Sequence, residues 1–143
     1  MSQALLAGLS RTTEPRTMLR RFLVLDAVVT GGNGLAYLVA SGPLGRLLGV
    51  DAALLLALGA FLTLYAAGVG FLASRPQPPV VPVKLVVDAN AAWAVLSIAA
   101  LLLWLETSTA GMLWIPMQAM AVAGFASLQW SALRATVGRP ARA

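Results

Sequence analysis

Four apolar runs decide what this chain can fold into. They occupy residues 22–40 (FLVLDAVVTGGNGLAYLVA), 52–73 (AALLLALGAFLTLYAAGVGFLA), 83–105 (VKLVVDANAAWAVLSIAALLLWL) and 111–133 (GMLWIPMQAMAVAGFASLQWSAL). Each is close to the roughly 20 residues that an α-helix needs to cross a bilayer. The runs are continuous rather than alternating, and a barrel strand needs only about 9–11 residues, so strands are a poor reading. The 143 residues are 59% hydrophobic and only 10% charged, where a soluble domain carries about 25% charged residues. A soluble chain this small cannot hide so much apolar surface in its own core. The expected fold class is therefore all-α: a polytopic membrane protein with an antiparallel four-helix transmembrane bundle. An ordinary soluble enzyme, a disordered chain and a free nucleic-acid-binding domain are excluded.

The breaks between the runs are legible too. Residues 41–51, SGPLGRLLGVD, hold Gly42, Pro43, Gly45 and Gly49 and read as a break whose Leu44, Leu47 and Leu48 lie in the interface. Asp51 is placed to cap the second helix. Residues 74–82, SRPQPPVVP, carry four prolines that forbid a continuing helix. The last break, 106–110 (ETSTA), is short and polar, which favours antiparallel neighbours. The segment 4–9 is too short to span, and its basic residues follow rather than precede it, unlike a signal peptide. This divides the chain into an N-terminal segment 1–21, a membrane domain 22–133 and a tail 134–143.

Basic residues orient the bundle. Arg11, Arg16, Arg20, Arg21, Arg75, Lys84, Arg134, Arg139 and Arg142 all fall on one side of a four-span layout, and Arg46 alone falls on the other. The positive-inside rule then predicts a bacterial cytoplasmic membrane protein with both termini in the cytoplasm. The net charge of +5 is thus explained by the membrane and not by nucleic acid. There is no His and no Cys, which removes the usual ligands of haem, zinc, copper and iron–sulfur clusters, along with thiol and Ser–His chemistry. No cofactor or metal is expected.

The chain also echoes itself. LVLDA at 23–27 matches LVVDA at 85–89, an offset of 62, and GAFLTLY at 59–65 matches AGFASLQ at 123–129, an offset of 64. The second offset also maps Arg75-Pro76 onto Arg139-Pro140. The pattern reads as two copies of a helical hairpin related by an axis along the membrane normal.

Polar residues inside the runs are the candidate functional groups. Asp26, Thr30, Asn33 and Tyr37 follow one another at spacings of 4, 3 and 4 and so share one helix face. Hydrocarbon cannot satisfy them, so that face should point into the bundle. Gln118, Phe125 and Gln129 share a face in the fourth run. In the third, Asp88 lies with Ala91, Ala92 and Val95, while Asn90 lies on another side with Trp93, Ser97 and Trp104. Gly59, Thr63, Ala66 and Gly70 form a small-residue stripe for close helix packing. The repeat pairs Asp26 with Asp88 and Tyr65 with Gln129, which makes the latter two candidates for one inner wall. Two carboxyls at one depth predict a proton- or cation-binding pair, or an anchor for a polar ligand. The structural alternative pairs Asp88 with Lys84, neutralises Asp26 from Arg20 and Arg21, and uses Asn33, Gln118 and Gln129 as interhelical glue. The run Thr30-Gly31-Gly32-Asn33-Gly34 reads as a flat packing surface or, alternatively, an unwound turn. Pro116 marks either the start of the fourth helix or a bend. Trp104, Trp114 and Trp130 read as interfacial anchors, Trp93 as a pocket residue, and Met112, Met117 and Met120 as packing.

The order LRRFLVLDAVVTGGNGLAYL, GPLGRLLGVD, a proline-rich link, VDANAAWAVLS and WIPMQAMAVAGFASLQWSALR resembles a group of small four-helix bacterial integral membrane proteins, and more loosely the DoxX-like membrane proteins. The resemblance spans about residues 19–134 and implies the four-helix plan; no catalytic residue comes with it. The first functional expectation is a non-enzymatic membrane protein that binds a lipid or apolar small molecule or serves as an accessory subunit of a membrane complex. The alternative is a proton-coupled transporter or channel working as a homo-oligomer. The candidate ligand- or proton-binding residues are Asp26, Thr30, Asn33, Tyr37, Tyr65, Asp88, Asn90, Trp93, Gln118 and Gln129. The expected partners are membrane lipid and either a second copy or a larger membrane complex, with no nucleic acid.

Overall fold

A computed structural model describes residues 14–138. The segment 4–9, Arg11 and the Arg139-Pro140 pair lie outside the described residues. The described chain forms five helices: α1 (Pro15–Val39), α2 (Ser41–Leu48), α3 (Ala52–Ser74), α4 (Val80–Leu103) and α5 (Thr109–Val137). Four of them, α1, α3, α4 and α5, are long and apolar enough to cross a membrane. Their outer surfaces are strongly apolar: Val28, Leu64, Val95, Leu102 and Leu113 are all well exposed. Water would penalise such a surface and lipid does not, so the chain is a multi-pass membrane protein built as an all-α bundle.

Several boundaries differ from the sequence expectation. Helix α1 begins at Pro15 rather than at residue 22, because Pro15 sits at a position where a missing N–H costs nothing. Arg16, Arg20 and Arg21 therefore ride on the first turns of α1 instead of forming a separate segment. Residues 41–48 are helix rather than loop. Pro43 falls in the first turn of α2, and the helix closes at Gly49, whose φ of 69° is left-handed. The Gly45 carbonyl accepts from the Gly49 N–H and also from the Val50 N–H at 2.9 Å, which closes the last turn. Likewise α4 starts at Val80 with Pro82 inside its first turn, where the ring is tolerated. Pro116 lies within α5 and does not mark its start; Ser108 caps that helix, accepting from the Gly111 N–H at 3.2 Å. Asp51 caps α3 as its position predicts, accepting from the Ala53 N–H at 3.0 Å.

Helix α1 lies along α3, α4 lies along α5, and α1 also packs on α5. The order around the bundle is therefore α3, α1, α5, α4, and the seam between α3 and α4 is nearly unpacked. The close α1–α3 approach depends on Gly34 and Gly59. A Cβ on Gly34 would meet Thr63 Oγ1 at 2.7 Å, and one on Gly59 would meet the Gly34 carbonyl oxygen at 2.8 Å. The glycine run in α1 stays helical, so it serves packing and not unwinding. At the end where α1 starts and α5 finishes, Leu19, Leu23, Val69, Ala73, Val83, Val86, Ala132 and Leu133 form an apolar core. At the other end, Tyr37, Leu55 and Leu62 form a second, smaller one.

Helix α2 is pinned to that second end by α5. The Ser108 hydroxyl donates to the Leu47 carbonyl at 2.6 Å and the Ser108 N–H to the Leu48 carbonyl at 3.1 Å. The negative end of α2 thus meets the positive start of α5, a favourable juxtaposition of helix dipoles.

Candidate functional site

A buried polar cluster joins all four long helices between the two apolar cores. Asp26 on α1 and Gln129 on α5 are fully buried; Asn90 on α4 and Thr30 on α1 are nearly so. Asp26 Oδ2 accepts from Asn90 Nδ2 and from Gln129 Nε2, each at 2.7 Å. Asp26 Oδ1 accepts from the Thr30 hydroxyl at 2.9 Å, one helical turn along. Asn90 Nδ2 also donates to Gln129 Oε1 at 3.1 Å. Helix α3 joins through Tyr65, whose hydroxyl donates to Asn90 Oδ1 at 3.0 Å and lies 3.2 Å from the Val86 carbonyl.

The donor and acceptor assignments are mutually consistent. All three groups bonded to Asp26 are donors, which suits an acceptor-only carboxylate. Asn90 uses both amide hydrogens and its carbonyl oxygen. In a membrane interior such closure is the condition for burying polar groups at all. The cluster also hydrogen-bonds α3 to α4 across their sparse seam.

Most of the sequence candidates are gathered here, with one exception. Asp26, Thr30, Asn33 and Tyr37 do share the inward face of α1, and Tyr65 and Gln129 do meet on one inner wall, through Asn90. Asp88 does not belong. It is exposed on the outer face of α4, while Asn90 turns inward. The two positions lie two residues apart, about 200° round a helix, so only one of them can face the core. The expected Asp26–Asp88 carboxyl pair is therefore not formed, and the aspartates that look equivalent in sequence have opposite surroundings. Nor does Arg20 neutralise Asp26: its Nε–H donates to the Ala73 carbonyl at 3.0 Å.

Above the cluster, towards α2, the α3–α4 seam widens into two adjoining cavities of about 280 and 260 Å3. The one nearer the cluster is bounded by Thr30, Asn33, Phe61, Tyr65, Asn90 and Trp93, and the one nearer α2 by Leu54, Leu55, Leu58, Ala100, Trp114 and Ile115. Tyr37, Trp93, Leu96 and Gln118 border both. The Trp93 indole N–H donates to Gln118 Oε1 at 3.0 Å, and the Trp114 indole N–H to the Tyr37 hydroxyl at 2.8 Å. Phe61 stacks between Tyr65 and Trp93, with both centroid separations 6.1 Å. Asn33 borders the cavity, and among the described residues its side chain has no hydrogen-bond partner.

Trp114 therefore faces inward, unlike the interfacial anchor expected of it; Trp104 and Trp130 are exposed. Met112, Met117 and Met120 lie on the outer surface of α5 and not in its packing. Sequence reasoning did not single out Leu96 and Phe61 as cavity residues, and their apolar character in an apolar helix gave no signal that could have. No family model, no curated protein and no solved structure matches this chain.

Proposed function

We propose that this protein is a non-enzymatic bacterial cytoplasmic-membrane protein that binds one apolar or amphiphilic, lipid-like molecule in the cavity between α3 and α4. The observation that carries the reading is Asn33. Among the described residues it is an amide without a hydrogen-bond partner, set within a spanning helix at the wall of an otherwise largely apolar cavity. A polar group in hydrocarbon calls for a partner, and a ligand hydroxyl or carbonyl at that wall supplies one. The aromatic wall of Phe61, Tyr65 and Trp93 would lie against the ligand's apolar body, as pocket-lining aromatics do elsewhere. The open α3–α4 seam gives entry from the lipid without unfolding any helix. Within one chain Asp26 and Asp88 do not meet, so the transport alternative would need a second copy to bring two carboxyls together. With the arginine-rich end of the bundle inside, both termini would lie in the cytoplasm.

The test is a titration of the full chain in detergent with oleyl alcohol, oleic acid and hexadecane, read by tryptophan emission. Saturable binding of the alcohol or acid is expected. Ala92→Phe, which adds bulk at the cavity wall, should abolish it. Asn33→Leu should weaken the two polar probes and leave hexadecane unchanged. Non-saturable partitioning in the wild type, or equal binding in Ala92→Phe, would overturn the proposal.

A further inference from the structure

A second recess lies at the opposite end of the bundle, where α1 starts and α5 finishes, on the outside of the α1–α3 pair. It has a volume of about 420 Å3 and is bounded by Thr17, Arg20, Arg21, Val24, Leu25 and Ala73. From this geometry we infer a binding site for one anionic glycerophospholipid, with its phosphate held by Arg20, Arg21 and Thr17 and its acyl chains running along Val24 and Leu25. It is separate from the α3–α4 cavity and does not depend on what that cavity binds.

Three features of the recess point to this ligand. The first is how Arg20 is held. Its Nε–H is tied to the Ala73 carbonyl near the end of α3, and that bond fixes the plane of the guanidinium. Among the described residues its two terminal NH2 groups have no partner and are left to meet an anion, and a guanidinium held in place loses less freedom on binding than a loose one. The second is the arrangement along α1. Thr17 precedes Arg20 by three residues and Arg21 by four, so its hydroxyl stands beside both cations on one helix face. A phosphate there receives two charge-assisted donors and one neutral donor, the chemistry that phosphate oxygens accept.

The third is polarity along the membrane normal. Directly after the arginines the same face becomes apolar, with Val24 47%, Leu25 51% and Val28 66% exposed. Val28 lies eight residues beyond Arg20, about 12 Å along the helix. The surface thus changes from cationic to hydrocarbon over the distance that separates a lipid phosphate from its upper acyl chain. A free phosphate ion would use the arginines but has nothing to place against Val24, Leu25 and Val28. The commitment is therefore to the lipid.

The experiment adds dioleoylphosphatidylglycerol, dioleoylphosphatidylcholine or inorganic phosphate to the full chain in detergent, and counts bound lipid by native mass spectrometry. The expected result is retention of one phosphatidylglycerol in preference to phosphatidylcholine. Arg21→Gln removes one direct charge-assisted contact to the phosphate and is expected to weaken retention roughly tenfold or more. Arg20→Lys, which keeps charge but not the planar fork tied to Ala73, should also weaken it. Arg16→Gln serves as the control, because Arg16 is exposed and does not border the recess; it should bind as the wild type does. Equal retention of the two lipids overturns the inference. So does an equal loss in Arg16→Gln and Arg21→Gln, which would reduce the effect to general surface charge. Displacement of the lipid by inorganic phosphate at equal concentration would also overturn it, by making the ligand a free anion.

Discussion

Replacing Asp26 by two different residues separates hydrogen-bond geometry from the mere presence of a polar group. In Asp26→Ala the Thr30, Asn90 and Gln129 donors lose their acceptor together. Hydrogen bonds between membrane helices average about 0.6 kcal/mol each, with a maximum near 1.7. Two of the three cross between helices, from Asn90 and Gln129, and come to about 1.2 kcal/mol on that average, which shifts the folded-to-unfolded ratio about eightfold; the Thr30 bond lies within α1 and adds to this. In Asp26→Asn the outcome differs because the amide can keep all three contacts. Its oxygen takes the place of Oδ2, accepting from Asn90 and Gln129. Its NH2 takes the place of Oδ1 and donates to the Thr30 hydroxyl, which is free to turn its own hydrogen to the carbonyl of residue 26 one turn earlier. The expected cost is then no more than one average bond, about 0.6 kcal/mol. Reversible unfolding in mixed micelles of mild detergent and dodecyl sulfate, followed by far-ultraviolet circular dichroism, measures both. Equal destabilisation by the two variants, or an Asp26→Ala cost below about 0.5 kcal/mol, well under one bond's average share, would refute the network as described.

Gly34→Leu should drive α1 from α3 and cause a large loss of thermal stability in detergent, since even a Cβ there meets the Thr63 side chain and backbone. Gly32→Ala is the matched control: nothing lies within 4 Å of its Cβ, and the better helix former should stabilise by up to about 1 kcal/mol. Gly49→Ala puts a side chain at a φ of 69° and into the Thr107–Ser108 backbone; the expected cost exceeds the 1–2 kcal/mol, roughly, of a left-handed residue alone, read in the same unfolding assay. Ser108→Ala removes the α5 cap together with the bond to Leu47, for an expected loss of about 1–2 kcal/mol and faster amide exchange at the start of α5.

How much of this was readable in the sequence depends on which physical signal survives in lipid. The number of spans survives, because length and continuous apolarity are all that crossing demands. The inward face of α1 survives as well, since Asp26, Thr30, Asn33 and Tyr37 are the polar residues of its apolar part and hydrocarbon rejects them. What fails is the rotation of α4. In a soluble protein an apolar stripe would mark the core side, but here the outside is as apolar as the inside and the stripe disappears. Asp88 then competed with Asn90 as the inward residue. The polar company of Asn90, with Trp93 and Ser97 on its face, was the signal that favoured it, against only alanines and a valine beside Asp88. Helix α2 was hidden by its Gly and Pro content. Its Leu44, Leu47 and Leu48 lie at helical spacing, and its proline falls where a first turn accepts one. Pro82 concealed the first turn of α4 for the same reason.

The cavity follows from the way the four helices share their close contacts. Gly34 and Gly59 commit α3 to α1, and α4 is committed to α5, so neither α3 nor α4 has a close-packing face left for the other. Were their seam closed along its whole length, small residues would be needed opposite each other on both helices, as on the α1 side of α3. Instead the seam presents Phe61 and Tyr65 from α3 and Trp93 and Leu96 from α4, all too large for close backbone approach. Among the described residues the seam is hydrogen-bonded at one level, by Tyr65 to Asn90 and Val86, with Phe61 stacked on Trp93 just beyond it. Beyond that level, towards α2, the helices are separated by side chains whose rearrangement breaks no helical hydrogen bond. On the proposed lipid-binding function, a molecule would enter or leave between α3 and α4 while the buried network and both tight helix pairs stay intact.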